Sequence, residues 1–184
     1  MKLPKGENPF VTKSSEVLYE RPYLRFVKDV AEMDGKEFDR SYADIADGIG
    51  ILAVNEKSEV ALVGQFRYAI GKYTWEVPAG MRDGDEEPLD TAKRELQEEA
   101  GLKAQDWVDL GSFYMESSST TKVSHAFLAR DLEQTKTAPE DDERIDMLWI
   151  TYDEALQKIK TGEIDDGLSV LALLRAQEYL RKKE

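Results

Sequence analysis

The 184-residue chain has no cysteine and a single histidine, His125. The first absence excludes disulfides, thiol nucleophiles and every cysteine-based zinc or iron–sulfur site. The second excludes multi-histidine metal sites and leaves one imidazole as a candidate general base. Long apolar runs are missing as well. The stretch 168–174 is broken by Ser169 and falls far short of the ~18 residues of a membrane span. Residues 1–10 carry Lys, Pro, Gly and Asn without an apolar core, so no secretory signal is expected there and the expected location is the cytoplasm. Positive charge is scarce: 25 Lys plus Arg face 38 Asp plus Glu, a net charge of −13. That balance opposes the phosphate neutralisation on which non-specific nucleic-acid binding rests. A small phosphorylated substrate stays compatible, because a bound cation reverses the local sign.

What is present describes an ordinary globular protein, 41% hydrophobic and 34% charged, with no repeat and no linker. The first third reads as strands. Residues 24–33 are rich in β-formers and end at Asp34-Gly35, a turn pair, with 37–42 as the hairpin partner. Residues 50–54 and 60–66 flank Asn55-Glu56-Lys57-Ser58 and read as a second hairpin; 74–77 is a short strand entering Pro78-Ala79-Gly80. A helix then follows, with Pro88 in its first turn, acids before it and Gly101 as its C-cap. Strands are expected at 108–115, 124–129 and 145–150, and helices at 152–160 and 167–182. The order predicts an α/β (α+β) fold with a mixed sheet and helices packed on its faces.

The helix carries the chemistry. At ~100° per residue, Leu89, Ala92, Leu96 and Ala100 form one buried stripe. Glu95 and Glu99 lie ~40° apart on its flank, with Glu98 ~60° beyond Glu95. Carboxylates gathered in this way repel one another unless a cation lies between them, and oxygen ligands without His or Cys suit Mg²⁺ or Mn²⁺. Arg94, four residues before Glu98, is placed to hold a carboxylate. Gly80 and Gly84 allow the preceding loop to bend, bringing backbone carbonyls such as that of Ala79 toward the metal.

The segment from Gly80 to Leu102 reads Gly-x5-Glu-x7-Arg-Glu-U-x-Glu-Glu-x-Gly-U, with U aliphatic, through Gly80, Glu86, Arg94, Glu95, Leu96, Glu98, Glu99, Gly101 and Leu102. It resembles the Nudix box at all nine positions. Flanking stretches extend the resemblance toward the ADP-ribose and nucleotide-sugar pyrophosphatase branch: Val63-Gly-Gln-Phe-Arg67, Trp75-Glu-Val-Pro-Ala-Gly80, His125-Ala-Phe-Leu-Ala129, the acidic run 140–143 and Gly162-Glu-Ile-Asp-Asp166. The resemblance implies a Nudix α/β/α sandwich with an N-terminal β-hairpin extension. Residues 1–45 are then expected to supply strands for dimerisation or substrate contact, and 46–184 the hydrolase domain.

It further implies Mg²⁺-dependent hydrolysis of a nucleoside diphosphate sugar to a nucleoside monophosphate and a sugar phosphate, by a homodimer without nucleic-acid or membrane partners. Mn²⁺ is an alternative metal. By carry-over the metal ligands are Ala79 (through its carbonyl), Glu95, Glu98 and Glu99. Arg67 binds substrate, and Arg40 is a second, weaker candidate. The general base is expected in the acidic run, Glu143 first and Glu140 second, since metal-bound carboxylates are poor proton acceptors, and Glu98 is counted as a catalytic residue as well as a ligand. His125 and the three tryptophans, Trp75, Trp107 and Trp149, read as structural. In one respect the chain departs from the branch: a proline usual in ADP-ribose-specific members is replaced by Ser117, within Glu116-Ser-Ser-Ser-Thr-Thr121. This opens GDP-mannose or ADP-glucose as alternative substrates, with the Ser/Thr run read either as a sugar or phosphate contact or as a plain loop. A catalytically silent ligand-binding regulator of the same fold would normally lack box carboxylates that are all present here. An isomerase of similar fold would need a catalytic cysteine.

Overall fold

The computed structural model describes residues 3–138 and 144–180, and the chain forms two compact units. One is built from the residues up to Ala46 together with Glu116–Lys122; the other runs from Asp47 to Met115 and from Val123 onward.

The first unit is an antiparallel sheet of β1 (Val11–Arg21), β2 (Leu24–Met33) and β3 (Lys36–Ile45), in that order. Asp34 and Gly35 join β2 to β3 with φ of 52° and 75°, the left-handed pair that a tight hairpin turn demands. The expected extension thus has a third strand, β1, which sequence periodicity does not reveal. Every residue of β1 is exposed, so no buried face imposes alternation on it. The Ser/Thr run is not a free loop, because it lies along β3. Ala43 N–H donates to the Ser119 carbonyl (2.9 Å) and Thr121 N–H to that of Ala43 (3.0 Å), while the Thr121 hydroxyl donates to Asp44 (2.6 Å).

The second unit contains β4 (Gly48–Ala53), β5 (Glu59–Arg67), β6 (Lys72–Glu76), β7 (Ala79–Met81), α1 (Pro88–Ala100), β8 (Leu102–Tyr114), β9 (Val123–Gln134), β10 (Asp146–Thr151), α2 (Tyr152–Thr161), α3 (Gly167–Arg175) and α4 (Gln177–Leu180). Two sheets form, β10-β5-β6 and β7-β4-β9-β8, with β4 and β9 parallel and the remaining pairs antiparallel. The mixed α/β architecture is as expected. The hairpin expected from 50–54 and 60–66 is not. After one isolated bridge, Val54 to Val60, its strands part into different sheets.

The reason lies in burial. All six residues of β4 are buried, so its apolar run serves two cores and not one face of a hairpin. Ile49, Ile51 and Ala53 pack with Ala92, Leu96 and Ala100 of α1. Leu52 and Val54 pack with Ala155 of α2 and with Ala172 and Leu173 of α3. Helices therefore cover both sides, with α1 on one and α2 and α3 on the other. The last expected helix, 167–182, is interrupted. α3 stops at Arg175, Ala176 N–H bonds to the carbonyl of Ala172, and α4 is a separate turn. Among the described residues no helix is long and apolar enough to cross a membrane.

Candidate functional site

Local sequence fixes α1 at both ends. Pro88 begins it, where a missing N–H costs nothing. Gly101 ends it in the left-handed region at φ 61°, its N–H closing on the carbonyl of Gln97. Between these points Ala92, Leu96 and Ala100 face the core as the spacing predicts. Glu95 and Glu99 lie beside that stripe and are themselves buried, 9% and 4% exposed. A carboxylate so buried needs charged or hydrogen-bonding partners.

Those partners come from β7 and Arg94. Glu99 Oε2 accepts a hydrogen bond from the Ala79 N–H at 2.7 Å. The Glu95 carboxylate fills the space that a side chain at position 80 would take, since a Cβ on Gly80 would stand 1.9 Å from Glu95 Oε1. Gly80 is thus the residue that lets backbone and carboxylate meet. Arg94 Nη1 donates to Glu95 (2.6 Å) and to Glu98 (3.0 Å), and Nη2 donates to the Met81 carbonyl (3.1 Å) and to Glu86 (3.3 Å). Burial works to lower the Arg94 pKa, but the carboxylates of Glu95, Glu86 and Glu98 hold it above the ordinary arginine value. Among the described residues no three acidic or imidazole side chains are grouped as a metal cage; Glu95 and Glu98 are turned to Arg94, and Glu99 to β7.

A second charged pair lies on the β5–β6 hairpin. Arg67 grips Glu76 with two nitrogens, Nε at 3.0 Å from Oε1 and Nη2 on Oε2. Burial raises the Glu76 pKa, but the bonds from Arg67 and Thr74 outweigh it and hold the carboxyl below the usual glutamate value. Arg67 is pushed above its ordinary value, first by that bond and further by the charges of Glu99 and Asp166. The structure therefore places Arg67 within electrostatic reach of Glu99. Sequence reasoning missed Glu76. The signal was the hairpin register: Val63 opposite Glu76 and Arg67 opposite Lys72 put Arg67, Thr74 and Glu76 on one face.

Arg40 belongs to the first unit, with its guanidinium over the rings of Phe10 and Phe38 at 5.2 and 5.3 Å. His125 sits within β9 with Nε2 3.8 Å from Asp47, an aspartate that also takes Arg82 at 3.0 Å. Trp75 packs on the α2–α3 side of the sheets, and Trp107 and Trp149 on the α1 side. The hydroxyls of Ser118, Thr120 and Thr121 are engaged by Glu116 and Asp44. Glu140 and Glu143 lie outside the described residues.

Comparison with known proteins bears on the family. The NUDIX domain model matches residues 44–171. The chain is 30% identical over 161 residues to the ADP-ribose pyrophosphatase of Bacillus subtilis, covering 86% of this chain and 85% of the relative. It is also 30% identical over 175 residues to the methanol dehydrogenase activator of Bacillus methanolicus, covering 93% and 95%. Identity to the GDP-mannose pyrophosphatase of Shigella flexneri is 33% over 161 residues, covering 79% and 82%. A solved structure of an ADP compounds hydrolase superposes with a TM-score of 0.79 at 18% identity, covering 96% of this chain and 97% of the other, a likeness of fold. With the box on a helix against the Gly80 backbone, and the family model spanning most of its length, the chain belongs to the Nudix family.

Proposed function

We propose that this protein is a Mg²⁺-dependent pyrophosphatase that splits a nucleoside diphosphate sugar, ADP-ribose or a related nucleotide sugar, into a nucleoside monophosphate and a sugar phosphate. The observation that carries the reading is the pair of buried carboxylates, Glu95 and Glu99, set against the Gly80–Ala79 backbone. Buried acids that meet glycine and a backbone amide supply hard oxygen donors of the kind Mg²⁺ takes. Glu95, Glu98, Glu99 and the Ala79 carbonyl would hold the ion. When bound, it would neutralise diphosphate charge and acidify water.

The chain's own residues account for the rest. Arg67, already fixed by Glu76, presents a positive charge for a substrate phosphate without the entropy cost of ordering a free side chain. Arg94 offsets the repulsion among the box acids and keeps Glu95 and Glu98 in place. A carboxylate of the run 140–143, Glu143 before Glu140, takes the proton of the attacking water. The water oxygen bonds to one phosphorus, the P–O–P bridge breaks, and each product leaves as a monophosphate. The ADP-ribose and GDP-mannose names of the relatives support the substrate class. The intact box weighs against a silent regulator. A homodimer is part of the proposal, with an expected solution mass twice 20.9 kDa.

The test is a panel of ADP-ribose, GDP-mannose, ADP-glucose and dinucleotides with Mg²⁺, read by product identity. Mono-phosphorylated products, abolished by EDTA and restored by Mg²⁺ or Mn²⁺, are expected. Inorganic phosphate or pyrophosphate as the primary product, or full activity without metal, overturns the reading. Single amide replacements across 140–143 locate the base: one should lower kcat by ~10²-fold or more with KM little changed. If all four stay within about threefold of the parent, the base lies elsewhere.

A further inference from the structure

The corner between β6 and β7 is held at every residue. Glu76 is fixed by Arg67, the Pro78 carbonyl accepts from Ile51 N–H at 2.8 Å, and Ala79 N–H is bound by Glu99. The remaining residue, Val77, is wholly buried and donates its N–H to the hydroxyl of Ser169 at 3.0 Å. Ser169 is itself wholly buried, and its hydroxyl donates onward to Asp166 Oδ2 at 2.8 Å. That same oxygen accepts the Ser169 N–H, also at 2.8 Å, and so caps α3. The hydroxyl proton is committed to Asp166, which leaves the oxygen lone pairs to face Val77. One aspartate thus sets both the start of α3 and the direction of a hydroxyl that grips the corner.

We propose that the Asp166–Ser169 pair is a positioning device for the hydrolytic centre. By fixing the Val77 N–H it sets the backbone two residues on, at Ala79, which holds Glu99 and whose carbonyl would help hold the metal; this rests on the pyrophosphatase reading above. A buried serine whose role ended at capping α3 would not need to reach the corner between β6 and β7. The capping bond runs from its N–H to Asp166, whereas the bond to Val77 uses its hydroxyl. The electrostatic influence of Asp166 on Arg67 offers a rival route from the same aspartate, and the two separate by experiment. Hydrogen bonding needs an acceptor at position 166, which asparagine retains; charge coupling needs the carboxylate.

The experiment compares Ser169→Ala, Asp166→Ala and Asp166→Asn in the full chain by two readouts. One is amide hydrogen exchange at Val77 and Ala79 on the protein alone. The other is kcat and KM for ADP-ribose hydrolysis with Mg²⁺, well below the melting temperature. Ser169→Ala and Asp166→Ala are expected to lower Ala79 protection and kcat by about tenfold each, with KM within about twofold, and Asp166→Asn to return both to within about threefold of the parent. Unchanged Ala79 exchange in the alanine variants overturns the proposal, as does an Asp166→Asn protein as impaired as Asp166→Ala, which assigns the effect to charge. If Ser169→Ala does not fold, the two Asp166 variants decide alone. Should the parent hydrolyse nothing, the function has failed, and the exchange data still decide whether the pair sets Ala79.

Discussion

Replacing Gly80 with alanine should separate activity from stability. A Cβ at position 80 would stand 1.9, 2.0 and 2.4 Å from the Oε1, Cδ and Oε2 atoms of Glu95. Van der Waals contact between such atoms begins near 3.5 Å, so the carboxylate must retreat by roughly 1.5 Å. It can do so, because it is the far end of a flexible side chain, and the three atoms nearest the new methyl all belong to that carboxylate. A displacement of about 1 Å at a reacting centre is enough to cost about 10²-fold in rate, or about 2.7 kcal/mol of barrier. Stability moves in two directions. Losing a glycine narrows the unfolded ensemble and contributes about 0.4–1 kcal/mol, while weakening the Arg94–Glu95 bond removes a similar amount. The melting temperature should therefore stay within about 4 °C of the parent. Steady-state hydrolysis of ADP-ribose beside a thermal melt checks both. An alanine variant that keeps kcat within about threefold of the parent refutes the claim that this space belongs to the Glu95 carboxylate.

Arg94→Ala should be less stable by about 1–3 kcal/mol, because Glu86, Glu95 and Glu98 lose a shared partner in a half-buried setting; thermal melts at low and high salt check this. For Glu76→Gln the melting deficit should depend on pH. The folded carboxyl titrates below its ordinary 4.5, so the pairing with Arg67 contributes fully above about pH 4.5 and is lost as pH falls through the lower folded value. The gap between parent and variant should close on acidification, and a gap that widens contradicts the assignment. The Tyr73 phenol donates to Asp146 at 2.6 Å, which pushes its pKa up to about 12. Asp146→Asn should return one tyrosine toward 10 in an ultraviolet alkaline titration.

Much of the second unit was legible because its signals are local. Pro88, Gly101 and the stripe Leu89, Ala92, Leu96 and Ala100 specify α1 without reference to the remainder of the chain, and the box acids follow from helical geometry. The reading lost ground where partners are distant in sequence. Residues 50–54 and 60–66 look like hairpin arms because short buried strands carry no label for their sheet; only packing with α1, α2 and α3 separates them. β1 has no buried face and so left no pattern. Glu76 and Ser169 escaped for the same reason, since their partners Arg67 and Val77 lie 9 and 92 residues away.

The stretch that runs beside β3 has a consequence for the order of synthesis. Ala43 takes its backbone partners from Ser119 and Thr121, and Asp44 takes the Thr121 hydroxyl. The first unit is therefore assembled from two pieces of chain about 70 residues apart. A ribosome adding ~5–20 residues per second emits β1, β2 and β3 several seconds before the piece that completes them. During that interval the outer edge of β3 stands unpaired, the condition in which strands meet strands of other chains. Release of the nascent chain before residue 122 should leave a sticky, incomplete sheet, and a truncation at residue 46 would make that state permanent.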